Sequence, residues 1–290
     1  MLVDLVRVST ADGLRLEGAM RSPADSTTAE IPIDAFLLLH GTGGNFYGST
    51  MFDALADGLL ALGSAVLTAN TRGHDVVSHA ASSAGAMRCG AAYERVDDCR
   101  HDIDAWISLL VKQGCRRIGL LGHSLGAIKA IYAQALAPHA AVACLIGVSP
   151  ARLSYQWFLD SPRGELFRQT MAQAESLVAN GQGDSLMQVE FPLPYVVTAA
   201  GYVDKYGREE RYNVVRHVHK LTCPSLITFG SAEVQGNVAF TGLPEALEQA
   251  ATGKPQFSVA TIAGGDHVYS GVRSELVARI GRWLRKLPRE

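Results

Sequence analysis

The 290-residue chain has no cysteine pair at metal-binding or redox spacing. Its five cysteines, Cys89, Cys99, Cys115, Cys144 and Cys223, are odd in number and form no C-x-x-C. That pattern fits a reducing compartment without structural disulfides or a zinc site, and Cys144, inside an apolar run, reads as a small buried hydrophobe. Charge of either sign is not in excess: 26 basic and 28 acidic side chains give a formal charge of −2, so a nucleic-acid partner has no electrostatic support. No apolar stretch reaches membrane-spanning length, which argues against membrane insertion. The first residues, Met1-Leu-Val-Asp-Leu-Val-Arg-Val, lack the basic and then unbroken apolar segments of a signal peptide. The expectation is a soluble, cytoplasmic protein.

What is present is enough apolar material for one large core, 48% of residues, near the size at which a single sheet-centred domain carries an insertion. Short apolar runs at Ala35 to Leu39, Ile118 to Leu121 and Val142 to Val148 read as buried strands, and Ala65 to Ala69, Leu226 to Phe229 and Phe257 to Ile262 as further strands of the same mostly parallel sheet. Leu2 to Ser9 and Leu14 to Arg21, joined through Asp12-Gly13, read as an edge hairpin. Helical stripes alternate with the strands: Met51 to Leu62, then Val96, Cys99, Ile103, Trp106 and Leu110, and finally Val272, Leu276, Ile280, Trp283 and Leu287. Asn70 to Ala91 reads as a long loop.

The alternation is interrupted from 149 to 221. There, helical stripes such as Phe167, Met171, Ala174 and Val178 occur without a strong strand, so a core of 1–148 and 222–290 carries a helical insertion. The insertion holds many of the chain's aromatics, including Tyr155, Trp157, Phe158, Phe191, Tyr195, Tyr202, Tyr206 and Tyr212. They suit a small core of its own, a roof over a pocket, or both. Trp157 and Phe158, a few residues beyond the strand that ends near Val148, are the candidate substrate-binding walls.

Two loops carry the chemistry. His40-Gly41-Thr42-Gly43-Gly44 follows a strand, but Phe46 stands where G-x-G-x-x-G needs glycine and no Gly-Lys-Ser/Thr follows. A loop that bares backbone N–H groups to an oxyanion suits the small residues better. The second, Gly122-His-Ser-Leu-Gly126, is G-x-S-x-G between a strand and a helix start. So sharp a turn forces Ser124 into a strained conformation and lifts its side chain toward a ligand. Of nine histidines, His267 alone closes the last strand in a glycine-bracketed loop. His123 should point away from the turn, and His40 reads as a loop-ordering residue. Neither His74 and His79 nor His217 and His219 has metal spacing, so no metal is expected.

The alternation, the His-Gly loop, G-x-S-x-G after a central strand, an acid after a late strand and a histidine after the last resemble the α/β-hydrolase superfamily over nearly the whole chain. The resemblance implies an α/β-hydrolase fold, with helices on both faces of the sheet and 149–221 as a helical cap. It implies Ser124 as nucleophile, Glu233 as acid and His267 as base, with the backbone N–H groups of Thr42 and Leu125 as the oxyanion hole. Asp266 and Asp160 compete with Glu233 for the acid's role, although Asp266 adjoins His267, where geometry disfavours a useful bond. The activity expected is a cofactor-free serine hydrolase that cleaves a small-molecule carboxylic ester or thioester through an acyl-enzyme. The alternatives are amide, lactone or carbon–carbon bond hydrolysis, perhydrolysis, or a non-catalytic binding protein on this fold.

Overall fold

Apolar runs of five to seven residues, too short for stable helices and apolar on both faces, form the middle of an eight-stranded sheet in the computed structural model, which describes residues 3–289. The first part of the chain forms β1 (Asp4–Ser9), β2 (Arg15–Arg21), β3 (Ala35–Leu39), α1 (Thr50–Ala61), β4 (Ala65–Ala69), β5 (Ser78–Ser82) and β6 (Gly85–Cys89). Then come α2 (Cys99–Lys112), β7 (Ile118–His123), α3 (Leu125–Leu136) and β8 (Val142–Val148). The segment between β8 and the next strand of the main sheet contains α4 (Tyr155–Leu159), α5 (Gly164–Ala179), β9 (Leu186–Val189), β10 (Tyr195–Thr198) and α6 (Ala199–Tyr206). The chain closes with β11 (Ser225–Gly230), α7 (Ser231–Gly236), α8 (Leu243–Ala250), β12 (Phe257–Ile262) and α9 (Arg273–Leu284).

Sheet order is β1-β2-β4-β3-β7-β8-β11-β12. From β4 to β12 every neighbouring pair is parallel, and β1 and β2 join antiparallel at one edge. Period-two alternation explains why the central strands are apolar throughout: Ala35, Leu37 and Leu39 of β3 enter one core, Phe36 and Leu38 the other. The first core lies under α2 and α3, with Ile103, Trp106, Ile128 and Ile131. The second lies under α1 and α9, with Leu55, Leu59, Leu276 and Ile280. Helices therefore cover both faces, as expected.

Two hairpins escaped the sequence reading. The long loop after β4 contains the β5–β6 pair, and the segment after β8 contains the β9–β10 pair, where only helices were expected. Both are four to five residues per strand, and Ser78-His-Ala-Ala-Ser and Gly85-Ala-Met-Arg-Cys lack the β-branched alternation by which strands announce themselves. The aromatics of the segment after β8 pack largely on one another. Phe158 meets Phe167 and Phe191 edge-on at centroid distances of 5.6 and 5.4 Å, and Tyr202 meets Tyr206 at 4.9 Å.

Candidate active site

Ser124 stands between β7 and α3 at φ 54°, ψ −121°, a conformation that costs a non-glycine residue about 1–3 kcal/mol. The surroundings enforce it. The Ser124 N–H donates to the Val148 carbonyl at 2.9 Å, while the helix begins at the next residue. A Cβ on Gly126 would fall 2.1 Å from the Leu39 carbonyl oxygen, and one on Gly41 3.0 Å from the Ser124 Cβ, so only glycines let β3, its following loop and the turn approach this closely. Ser124 Oγ has no hydrogen-bond partner among the described residues and faces a cavity of about 520 Å³.

His267 lines the same cavity from the loop after β12. Its Nδ1 lies 2.8 Å from Glu233 Oε2. Glu233 sits at the third position of α7, a short helix that starts directly after β11, and its Oε1 reaches back to accept the Gly230 N–H at 2.7 Å. The Glu233 side chain is 3% exposed against 40% for His267, so the carboxylate is held inside while the imidazole meets the cavity. The two loops are stitched together: Ala232 N–H donates to the Gly265 carbonyl at 2.9 Å, and Gly264 N–H to Ser231 Oγ at 2.9 Å.

The competing carboxylates are engaged elsewhere. Asp266 Oδ1 accepts the N–H groups of Ser270 at 2.8 Å and Val268 at 3.0 Å, which hold its carboxyl below the usual range. Asp160 is exposed and accepts from Gln156 Nε2 at 2.9 Å. Thr42 and Leu125 both line the cavity, and neither backbone N–H has a hydrogen-bond acceptor among the described residues. For Leu125 the reason is its place at the first position of α3, where an amide has no partner within its own helix.

Two further histidines are neutral supports. Burial pushes His40 down to about 4; its Nε2 accepts the Thr71 N–H at 3.0 Å, so the proton is on Nδ1, which donates to the Gly41 carbonyl at 2.8 Å. It orders the glycine loop, as expected. His123 does not turn away. Its ring lies 4.7 Å from that of His267, and Nε2 donates to the His267 carbonyl at 2.8 Å; burial first, and His267 second, push it down to about 3. Among the described residues no cluster of His, Cys, Asp and Glu has the makings of a metal site.

A sequence model described as the alpha/beta hydrolase family matches residues 36–280. The chain belongs to this family. Among solved structures, this α/β hydrolase resembles Est1E from Butyrivibrio proteoclasticus with ferulic acid bound, at 17% identity, covering 97% of this chain and 98% of that one, with a TM-score of 0.66. The Pyrococcus furiosus esterase Pf2001 gives 17% identity, 99% and 93% coverage and 0.62. A soluble variant of monoglyceride lipase from Saccharomyces cerevisiae, in complex with a substrate analogue, gives 15%, 98% and 96%, and 0.66. No curated protein sequence matches the chain.

The walls of this hydrolase's cavity correct one expectation. Phe158 lines it together with Leu153, Pro192, Leu193, Tyr206 and Phe240. Trp157 does not: as its helical neighbour it points elsewhere, with Nε1 donating to the Val238 carbonyl at 2.8 Å and the Arg152 guanidinium 3.9 Å over its ring. Sequence reasoning also missed the polar groups behind Glu233. Ser149, at φ 50°, donates its hydroxyl to Glu233 Oε1; its Oγ lies 3.0 Å from the Tyr269 hydroxyl, which is 3.2 Å from Thr228 Oγ1. A serine directly after β8 was visible in the sequence, but nothing local to it points at a carboxylate 84 residues away.

Proposed function

We propose that the protein is a serine hydrolase of small-molecule carboxylic esters or thioesters, working through an acyl-enzyme. The observation that carries this reading is the 2.8 Å bond between the buried Glu233 and Nδ1 of His267, whose ring lines one cavity with the strained, unpartnered Ser124. A serine hydroxyl is a poor nucleophile at neutral pH and needs a base. With Nδ1–H donated to Glu233, His267 presents its other nitrogen, Nε2, as that base, and Glu233 stabilises the imidazolium that forms. Ser124 Oγ attacks the ester carbonyl, and the Thr42 and Leu125 N–H groups receive the oxyanion. His267 returns the proton to the leaving alcohol or thiol, then activates water to free the acid. Binding must draw Ser124 and His267 into hydrogen-bond contact, a tightening common as substrate enters.

In this reading 149–221 is a cap, since Phe158, Pro192, Leu193 and Tyr206 come from it to the cavity wall. The ferulic acid and substrate analogue in two structural neighbours support a small ester as substrate. A fluorophosphonate probe tests the reading: stoichiometric labelling, mapped to the peptide carrying Ser124, is expected, and an unlabelled folded protein sinks it.

Phe158 and Trp157 separate pocket from scaffold. Phe158→Ala is expected to lower kcat/KM for a bulky ester by roughly 10 to 200-fold, and far less for an acetate ester, the worth of apolar contact in a pocket. It also lowers the melting temperature, because Phe158 packs on Phe167 and Phe191. Trp157→Ala is expected to shift only the melting temperature. A changed ratio between the two esters in Trp157→Ala, measured alongside the melting curve, contradicts this division.

A further inference from the structure

Helix α6 brings two consecutive polar residues, Lys205 and Tyr206, to the cavity that holds Ser124. Lys205 is 2% exposed, and its Nζ has neither a hydrogen-bond partner nor an ion pair among the described residues. Its Nζ stands 5.0 Å from the centroid of the Tyr195 ring. Tyr206 takes a long 3.5 Å contact from the Tyr195 hydroxyl, and its own hydroxyl proton has no acceptor among the described residues.

The surrounding charges do not neutralise Lys205. Glu94 and Lys129, both fully buried, pair with one another, and Lys129 Nζ also donates to Thr71 Oγ1 at 2.9 Å. Gly73 makes room for this pair, since a Cβ there would fall 2.2 Å from Glu94 Oε1. Burial alone would push the Glu94 carboxyl up, but Lys129 and Lys205 outweigh it and hold the group below the usual range, so Glu94 is charged. Asp204, the other carboxylate near Lys205, is taken by Arg211 at 2.9 Å and by the Tyr212 hydroxyl at 2.9 Å. Two lysines and one glutamate leave a formal charge of +1 beside the cavity. Burial lowers Lys205 to about 8 and Lys129 adds to that, with Glu94 and Asp204 pulling it back up, so at neutral pH the ammonium remains protonated. An ammonium buried without an acceptor is costly, and the open side of this one is the cavity where substrate binds.

We propose that Lys205, with Tyr206 beside it, determines specificity by receiving a carboxylate carried on the acyl or alcohol part of the substrate, so that anionic esters are preferred over neutral ones. The ammonium and the phenol supply two donors to the two carboxylate oxygens, and the apolar walls around Phe158 and Leu193 take the chain between that carboxylate and the scissile bond. The proposal rests on the hydrolase reading for its catalytic half only; the anion site itself is a matter of binding.

The test uses matched pairs that differ only in a terminal carboxylate. One series sets 4-nitrophenyl hemiesters of six- to ten-carbon dicarboxylic acids against 4-nitrophenyl esters of the monocarboxylic acids of equal length. A second sets butyrate esters of hydroxy acids against those of the corresponding alkanols. The expected result is a preference of about 10 to 100-fold in kcat/KM for the acidic member of at least one pair, carried mainly by KM, the scale of a hydrogen bond to a charged group. Lys205→Met, which keeps most of the length of the unbranched side chain and removes its charge, should bring that ratio close to one. Should Lys205→Met not fold, Tyr206→Phe serves in its place and should cut the ratio several-fold. Calorimetric titration of the same pairs into the Ser124→Ala protein separates this proposal from the hydrolase reading, because binding there requires no turnover. Tighter binding of the acidic ester supports the anion site even if the fluorophosphonate fails to label. Equal binding of both members, or a preference that survives Lys205→Met, overturns it even if labelling succeeds.

Discussion

Ser124→Ala is expected to lower ester hydrolysis by about 10⁴ to 10⁶-fold while leaving the protein folded, the scale seen when the nucleophile of a catalytic triad is removed. The fold should survive because Ser124 Oγ has no hydrogen-bond partner among the described residues, so its deletion orphans nothing. The positive φ of 54° is no harder for alanine than for serine. Alanine also keeps the small Cβ that the close approach of Gly41 demands. The checks are a melting curve, a kinetic assay and loss of fluorophosphonate labelling in the same preparation. A well-folded Ser124→Ala protein with full activity would end the proposal of an acyl-enzyme at this residue.

Glu233→Gln is the second large effect, a rate loss of up to about 10⁴-fold with a modest change in stability. The hydrogen bonds specify why. Glu233 Oε1 accepts from Gly230 N–H and from Ser149, and a glutamine oxygen can keep both. Its amide nitrogen then faces His267 Nδ1 as a donor, so the ring must carry its proton on Nε2 instead. In that tautomer the histidine cannot take a proton from Ser124. Asp266→Asn is expected to cost far less, because Asp266 serves the turn at Val268 and Ser270. Parallel kcat measurements on the two variants decide the matter: a larger loss in Asp266→Asn would mean that the acid has been assigned to the wrong carboxylate.

How much of this was legible in the sequence varied with the range of the interaction that encodes it. The strands Ala35–Leu39, Ala65–Ala69 and Val142–Val148 have the limits expected from their apolar runs, since a strand buried on both faces is written as continuous hydrophobicity. The strain at Ser124 could also be anticipated, because glycines at both ends of a strand-to-helix turn are a local statement about space. The β5–β6 hairpin was not legible, as Ser78–Ser82 and Gly85–Cys89 are held by pairing with one another rather than favoured by their own composition.

At the site, local pattern picked out Ser124, His267 and the glycine loop, and chain order suggested Glu233. It did not separate Glu233 from Asp266. That was decided by α7, whose first turn directs Glu233 back toward the β12 loop while the backbone of that same loop occupies Asp266. Nor could sequence tell Trp157 from Phe158, adjacent rings on one helix that diverge by about a quarter turn, one onto Arg152 and one into the cavity. The pairing of Glu94 with Lys129, which leaves Lys205 alone, joins three segments of the chain and has no local signature at all. The sequence by itself determined where the chain is strand or glycine turn and which serine is lifted out, since backbone sterics and hydrophobic period act between near neighbours. Only the tertiary structure decided which carboxylate reaches the imidazole, which aromatic meets the cavity and which lysine lacks a partner, because hydrogen bonds and ion pairs depend on ångström distances between residues far apart in the chain.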